Sequence, residues 1–335
     1  MAKTAFVTGG TGFLGINLIK ALCEDGWVVT ALHRTSSNTK YIKKFPVKLV
    51  EGSITDKDSL IRAIPENCEV VFHVAGDTSH WSKKNATQTA IHVDGTRNMI
   101  DVSSDKGVKT FIHTSSVSVW GSAKGSIDEE TAQLGETSWI NYEQTKWQAE
   151  QLALDGINKG LSVISINPGS IVGPYDTRTF ATMFYALRDK ELPGIPPATI
   201  PIVHINDVVQ AHILAVDKGR SGQRYIIVGE HISMKEFVSE FALLLGLNKV
   251  PSEMPKIVLK MFGKLAAFGA YFTGKEPTLT PEAADMLTRK GFEFSNKKAL
   301  KEFGYQITPW KLGVKDCYDW LVNEGLLQTK EELNV

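Results

Sequence analysis

Several features that would assign the chain to a specialised class are scarce or absent. Its 335 residues include only Cys23, Cys68 and Cys317, and three widely spaced thiols predict neither a disulfide framework nor a zinc site. The 37 basic residues are balanced by 37 acidic residues, which argues against a nucleic-acid surface. No apolar run approaches the roughly 20 residues that span a bilayer. There is also no internal repeat or low-complexity segment.

What is present is typical of an ordinary globular protein. Apolar residues make up 42% of the chain and charged residues 22%, which is enough apolar content for a full core. The N-terminus enters a strand pattern, Thr4-Ala-Phe-Val-Thr8, within three residues and shows no signal-peptide pattern. We therefore expect a cytoplasmic protein with no nucleic-acid partner, no membrane span and no bound metal.

Short apolar runs alternate with helical patterns over about the first 170 residues. The runs that predict strands are 5–8, 27–33, 47–50, 70–74, 108–114 and 161–166, and the helical patterns include 13–25 and 139–158. Strands that are apolar throughout are typical of a parallel sheet covered by helices on both faces. We predict an α/β fold with a doubly wound parallel (Rossmann) sheet.

The pattern changes after residue 173. The prolines at positions 174, 193, 196, 197 and 201 predict an irregular region, strand signals resume at 201–205 and 224–228, and the chain is mostly helical from about 231. We predict a cofactor domain formed by 1–173 and 201–230. A smaller, mostly helical substrate-binding lobe would comprise 174–200 and 231–335, with ligand between the two, beyond the carboxyl ends of the strands.

One long apolar helix is predicted within this lobe, at 257–272. Lys256, Lys260 and Lys264 are spaced four residues apart along it. A helix packed on the lobe with a solvated lysine stripe is the favoured interpretation. A basic amphipathic helix at a membrane surface is the alternative.

A glycine-rich turn follows the first predicted strand and opens the first helix. Glycines spaced three apart let the backbone turn tightly and approach a pyrophosphate, which the free N–H groups at the helix N-terminus then bind. The order strand, turn, helix predicts a dinucleotide cofactor. The predicted contacts in this turn are Gly9, Thr11, Gly12, Phe13, Leu14 and Gly15.

Arg34 ends the second predicted strand. An acidic residue at this point binds the ribose diol of NAD, whereas a basic residue suits the 2′-phosphate of NADP. We therefore predict NADP, with Lys40, Lys43 or Lys44 as a second contact. The alternative is a solvated surface arginine.

Two pairs of tyrosine and lysine have the spacing that places both on one helix face, Tyr142–Lys146 and Tyr271–Lys275. A lysine so placed favours the phenolate and eases proton transfer through the tyrosine hydroxyl. Tyr142 begins the helix after a strand that ends in hydroxyl residues, where such sheets bind ligands. Tyr271 lacks that context, and we interpret it as a core or lid residue.

The combined motifs resemble the extended short-chain dehydrogenase/reductases, the NAD(P)-dependent epimerase/dehydratase family, over about residues 3–230. They are Gly9-x-x-Gly12-x-x-Gly15, Val71-Phe-His-Val-Ala75, Gly95-Thr96, Thr114-Ser115-Ser116, Tyr142-x-x-x-Lys146, Asn167-Pro-Gly169, Gly173-Pro174 and His204-Ile-Asn-Asp-Val208. The chain is most similar to the branch of dihydroflavonol and cinnamoyl-CoA reductases. In that branch an arginine at the position of Arg34 accompanies NADP.

The resemblance implies a role for each residue of the motif. Tyr142 would be the general acid, Lys146 would hold the nicotinamide ribose and depress the pKa of Tyr142, and Ser116 would stabilise the substrate oxygen. Further cofactor contacts are implied at Ser53, Ile54, Ala75, Gly76 and Pro168. The resemblance also implies a possible homodimer, paired through the helices at about 88–106 and 139–158.

The chain departs from the family pattern at two positions. His92 occupies the place of an asparagine that organises a proton-relay water; a structural role for His92 is favoured over a role in the relay. Gly52-Ser-Ile54 replaces the frequent Gly-Asp-Leu, which leaves one adenine contact in question.

The substrate is expected to be a small carbonyl or alcohol compound. Nucleotide-sugar members carry an arginine before the His-x-x-Asp-Val motif, where this chain has the apolar run Thr199-Ile-Pro-Ile-Val203. The pocket candidates are Thr78, Trp81, Trp120 and Tyr175, each with simple packing as the alternative role. An NADPH-dependent carbonyl reductase is the favoured hypothesis. A nucleotide-sugar epimerase or dehydratase and a redox-sensing protein without turnover are the alternatives.

Overall fold

A computed structural model describes residues 2–328, except for the side chain of Tyr271. The strands are β1 (Thr4–Thr8), β2 (Val28–His33), β3 (Val47–Glu51), β4 (Val70–His73), β5 (Thr110–Thr114), β6 (Gly125–Ile127), β7 (Ser162–Pro168), β8 (Ser170–Val172), β9 (Thr199–His204), β10 (Arg224–Ile227), β11 (Glu230–Ser233) and β12 (Phe292–Phe294). All six strands predicted before residue 170 lie within one or two residues of their expected positions.

The helices are α1 (Phe13–Glu24), α2 (Lys57–Ala63), α3 (Asn85–Thr89), α4 (Gly95–Asp105), α5 (Asn141–Asp155), α6 (Thr182–Arg188), α7 (Ile205–Lys218), α8 (Met234–Leu244), α9 (Lys256–Thr273), α10 (Pro281–Met286), α11 (Lys297–Phe303) and α12 (Trp310–Asn323). Helix α6 lies in the stretch that we expected to be irregular. Its start falls after Pro174 and its end before Pro193, so the prolines bound the helix rather than break it.

Seven strands form one parallel sheet in the order β3-β2-β1-β4-β5-β7-β10. The strand order reverses between β1 and β4, so the loops after these two strands diverge and leave a crevice at their carboxyl ends. The doubly wound parallel sheet is therefore confirmed. It fixes the edge at which the turn between β1 and α1 meets the residues that we predict to be catalytic.

Helices cover both faces of this sheet. On one face, Val7 of β1 packs in a cluster with residues of α1, α7 and α11. On the other face, Phe6 of the same strand packs with residues of α2, α4 and α5. Successive side chains of a strand point to opposite faces, so each strand contributes apolar residues to two cores and its sequence is apolar throughout.

A second core lies outside the large sheet. It joins α6, α8 and α12 to the small sheet β8-β9-β11, with the aromatic rings of Phe184, Phe237 and Phe241 at its centre. Strand β10 belongs to the large sheet. Helix α11, although late in the chain, packs on the large sheet through Phe303. None of the described helices has the length and apolar character needed to cross a membrane.

We expect Phe303→Ala to lower the free energy of unfolding by about 3–5 kcal/mol, because the ring is fully buried against Tyr225, with ring centroids 4.4 Å apart. Phe268→Ala is the matched control, since Phe268 is 66% exposed and its loss should change stability by only about 0.5 kcal/mol. Urea denaturation measures both variants. Equal effects would contradict the placement of α11 on the sheet.

Candidate active site

The turn between β1 and α1 forms a cradle that has no room for side chains. Gly9 has φ +69°, and a Cβ atom there would lie 2.7 Å from the amide nitrogen of Ala75. A Cβ atom on Gly15 would lie 2.1 Å from the carbonyl oxygen of Gly9. Both positions therefore require glycine.

Helix α1 begins directly after this turn, at Phe13. Gly12 stands at its N-cap and supplies no capping side chain, so the first N–H groups of the helix are left for an anion. Ala75, in the loop after β4, donates its N–H to Thr8 Oγ1 over 3.2 Å and so holds that loop against the cradle. These features fit the diphosphate of a dinucleotide.

The other predicted cofactor residues lie along the same edge of the sheet. Arg34 follows β2 and is exposed. Lys40 and Lys44 both pair with Glu324, each at 2.8 Å, so two of the three cations expected beside Arg34 are engaged elsewhere. The residues Ser53, Ile54, Ala75, Gly76 and Pro168 all lie at or just beyond the carboxyl ends of β3, β4 and β7.

Ile54 illustrates how the departure from Gly-Asp-Leu is accommodated. Its side chain is buried beneath α4, where a Cβ atom on Gly95 would be 2.6 Å from Ile54 Cδ1, and Asn98 donates to its carbonyl oxygen over 3.0 Å. The hydroxyls of Ser53 and Thr55 share a hydrogen bond of 2.9 Å. No carboxylate stands at this point, so an adenine amino group would meet hydroxyl or backbone oxygens.

Strand β5 and helix α5 bring the three predicted catalytic residues together. The Ser116 side chain lies close enough to Tyr142, in the first turn of α5, to lower the pKa of its phenol. Ser118 donates its N–H to Ser116 Oγ over 3.1 Å, which fixes the serine at the strand end. One turn later, Lys146 donates through Nζ to the carbonyl oxygen of Thr114 over 2.7 Å.

The electrostatics of this pair differ from our expectation. Burial raises the pKa of the Tyr142 phenol, and the Ser116 hydroxyl opposes this rise. Burial also lowers the pKa of Lys146 to about 8, although the Glu150 carboxylate works against that fall. The pKa of Tyr142 is therefore raised and not depressed as we expected, because burial outweighs the contacts that favour the phenolate.

Glu150 opposes the fall in the pKa of Lys146 and is itself fully buried. Burial raises the pKa of its carboxyl group, but Arg224, Gln133 and Asn167 outweigh burial and the net pKa is lowered. Arg224 Nε lies 2.5 Å and Gln133 Nε2 2.7 Å from Glu150 Oε1. This network anchors α5 to β7 and β10 behind the catalytic residues.

His92 lies in a π-helical turn, Ala90–Asp94, between α3 and α4. Its Nε2 accepts the N–H of Asp77 over 2.9 Å, so the neutral ring carries its proton on Nδ1, 2.9 Å from Thr145 Oγ1. Burial lowers the pKa of His92 well below its ordinary value. His92 thus joins the loop after β4 to α5, as its predicted structural role requires.

His80 is a residue of the site that sequence reasoning missed. Its ring packs edge-on to Tyr142, with ring centroids 5.2 Å apart, and burial lowers its pKa. Its Nδ1 is buried without a hydrogen-bond partner. The only available signal was its place between Thr78 and Trp81, which we had flagged as pocket candidates.

The four substrate candidates divide between the site and the core. Thr78 is exposed and Trp81 half-buried on the loop that carries His80. Trp120 is fully buried and donates its Nε1 proton to the carbonyl oxygen of Thr131 over 2.9 Å, so it is a core residue rather than a pocket residue. Tyr175 packs against Tyr41 and Trp320, with ring centroids 5.6 and 5.0 Å apart.

The second tyrosine–lysine pair spans the C-terminal end of α9. The side chain of Tyr271 lies outside the described residues, so its predicted role as core or lid stays a prediction. Lys275 is exposed beyond the end of α9.

Comparison with known proteins accounts for this arrangement. The family model of the NAD dependent epimerase/dehydratase family matches residues 5–229. The chain belongs to this family. It is an NAD(P)-dependent enzyme of the extended short-chain dehydrogenase/reductase type, as its motifs predicted.

Its relatives include both reductases and dehydrogenases. The chain is 30% identical over 342 residues to a putative dihydroflavonol 4-reductase of Synechocystis sp., covering 98% of each chain. It is 26% identical over 329 residues to sterol demethylase protein B of Methylococcus capsulatus, covering 97% of this chain and 100% of that one. Among solved structures, gox2253 is 30% identical with a TM-score of 0.84, covering 97% of this chain and 100% of that one.

We expect the stability of the wild type, relative to Lys146→Met, to rise between about pH 8 and pH 10.5. The folded lysine has a pKa of about 8 against an ordinary value of 10.5, so the unfolded chain binds a proton in this window that the native state has lost. Stability rises with pH wherever the unfolded state binds more protons. Denaturation at several pH values measures the difference in the free energy of unfolding between the wild type and the variant. A similar rise of the wild type relative to the exposed Lys20→Met variant would contradict the assignment.

Proposed function

We propose that the protein reduces an aldehyde or ketone to an alcohol with NADPH, using Tyr142 as the general acid. The observation that carries the proposal is the convergence of Ser116, Tyr142 and Lys146 on the edge of the sheet that holds the glycine cradle. A hydroxyl, a phenol and an ammonium so placed suit proton delivery to an oxygen beside a nicotinamide.

Tyr142, Ser116 and Lys146 each have a separate role in the proposed reduction. Bound NADPH supplies the hydride for the carbonyl carbon. The Tyr142 hydroxyl gives its proton to the carbonyl oxygen, and a phenol pKa raised by burial keeps that proton available at neutral pH. The Ser116 hydroxyl donates to the same oxygen as negative charge develops. Lys146 is mostly protonated at neutral pH, so its charge favours the phenolate left behind.

The apolar character of the substrate is supported by the chain and by its relatives. Strand β9 begins with the apolar run at 199–203 and offers no cation for a diphosphate. The relatives named by their reactions include a farnesyl-dihydroquinoline-oxide ketoreductase of Stigmatella aurantiaca, 27% identical over 316 residues, and hydroxysteroid dehydrogenases. We infer that the substrate is an apolar or aromatic carbonyl compound.

Tyr142→Phe removes the proton donor but keeps the ring. We expect the turnover of carbonyl substrate to fall by about 10²–10⁴-fold, with a much smaller change in NADPH affinity. Steady-state kinetics and cofactor fluorescence measure the two effects. Tyr185→Phe is the control, since the Tyr185 hydroxyl donates to Leu326 in the small lobe. Equal turnover by Tyr142→Phe and the wild type would refute the general-acid role.

Arg34→Ala tests the cofactor preference. Loss of a charged hydrogen bond to the 2′-phosphate should reduce the preference for NADPH over NADH by about tenfold to a hundredfold. The control variant Arg62→Ala loses the same positive charge at an exposed position away from β2, so it should leave the cofactor preference unchanged. An unaltered preference in Arg34→Ala would remove Arg34 from the cofactor site.

A panel of aldehydes, ketones and nucleotide sugars tests the reaction itself. Stoichiometric NADPH consumption with formation of an alcohol is the expected result. Conversion of a nucleotide sugar without net NADPH consumption would instead identify an epimerase or dehydratase. Cofactor binding with no turnover of any compound would favour the redox-sensing alternative.

A further inference from the structure

The outer face of α9 exposes a continuous apolar surface. Its side chains are Ile257, Val258, Met261, Phe262, Leu265, Phe268 and Phe272, with exposed fractions from 38% for Phe262 to 75% for Ile257. At about 100° per residue these positions share one side of the helix. We call this set the α9 face. Scattered apolar residues are normal on a surface, but a contiguous patch of this kind marks an interaction site.

The opposite side of α9 is packed on the protein. Leu259, Gly263 and Ala270 are buried, and a Cβ atom on Gly263 would lie 3.2 Å from the carbonyl oxygen of Thr280. Helix α10 provides most of this support. The helix therefore lies along the surface as a rod, anchored on one side and apolar on the other.

The charged side chains of α9 itself are all basic. Helix α9 contains Lys256, Lys260 and Lys264 and no acidic residue. Lys260 pairs with Asp285 at 2.6 Å, whereas Lys256 and Lys264 are exposed, Lys264 at one border of the α9 face and Lys256 at the start of the helix. Lys256 also lines, with Lys124 and Lys290, a cavity of about 640 Å³ at the start of the helix. An apolar face bordered by lysines is complementary to an anionic lipid surface.

The C-terminal end of α9 adjoins the candidate active site. Glu276, three residues beyond the helix, accepts from Ser79 Oγ over 2.9 Å and from Lys84 Nζ over 2.5 Å. His80 directly follows Ser79 in the chain and packs against Tyr142. A surface that receives the α9 face would therefore lie beside the loop that borders the catalytic tyrosine.

We propose that α9 is an interfacial helix that attaches the protein to anionic membranes, with the α9 face inserted among the acyl chains and Lys256 and Lys264 at the headgroups. The attachment is peripheral, since no described helix can cross a bilayer. Pairing of two copies through the same face would bury the apolar side chains but would leave both lysine borders without counter-charges. The membrane therefore fits the surface better.

Vesicle co-sedimentation of the full chain tests the proposal. The wild type should pellet with vesicles of phosphatidylcholine and phosphatidylglycerol in equal amounts, far less with phosphatidylcholine alone, and less at high salt. The double variant L265E/F268E should lower binding by more than about tenfold, because each buried large apolar side chain contributes a factor of that order. L243E is the matched control, since Leu243 is 66% exposed on α8, outside the α9 face.

Each outcome decides for or against attachment. Loss of binding in L265E/F268E, with cofactor binding and thermal unfolding like those of L243E, supports it. Failure of the wild type to bind anionic vesicles overturns it, as does equal binding by the double variant. A wild-type dimer that L265E/F268E converts to a monomer, without vesicle binding, assigns the face to a second copy instead. Because cofactor binding is measured separately, failure of the proposed reductase activity leaves this result unaffected.

Discussion

The hydrogen bond from Lys146 Nζ to the carbonyl oxygen of Thr114 joins α5 to β5, and the geometry of the candidate site depends on it. It places an ammonium inside the protein, where desolvation opposes the charge. The charge is tolerated because Glu150 lies one turn away and because Arg224 in turn balances Glu150. Three ionised groups thus hold α5, β5 and β10 in one arrangement, and Tyr142 and Ser116 meet because of it.

Much of this arrangement was predictable from the sequence because the signals are local. Each of these signals is contained in a short stretch of the sequence. They are the unbroken apolar strands, the glycines spaced three apart and the hydroxyl residues at the end of β5. The positions of Gly9 and Gly15 follow directly, since no other residue fits a backbone approach this close. Tyr142 was placed by the hydroxyl residues at the end of the preceding strand, and its pairing with Ser116 was implied by the resemblance to the family.

The features that were missed depend on contacts between residues far apart in the chain. His80 reaches Tyr142 only because the loop after β4 folds back over α5, and the pocket candidates beside it, Thr78 and Trp81, were its only signal in the sequence. Trp120 was expected near ligand, but its indole N–H finds an internal acceptor at Thr131 and its ring joins the core. The direction of the Tyr142 pKa shift also depended on burial, which spacing along a helix does not reveal.

The pairing of β6 with β12 has a consequence for the order in which the molecule is completed. Residues 125–127, which precede the catalytic helix, gain their partner strand only from residues 292–294, and Glu143 beside Tyr142 gains its cation only from Arg289. On the ribosome, the seven strands of the large sheet are all available once residue 227 has emerged. The segment that leads into α5 must wait for about sixty more residues, so it gains its partner strand only after the large sheet can form.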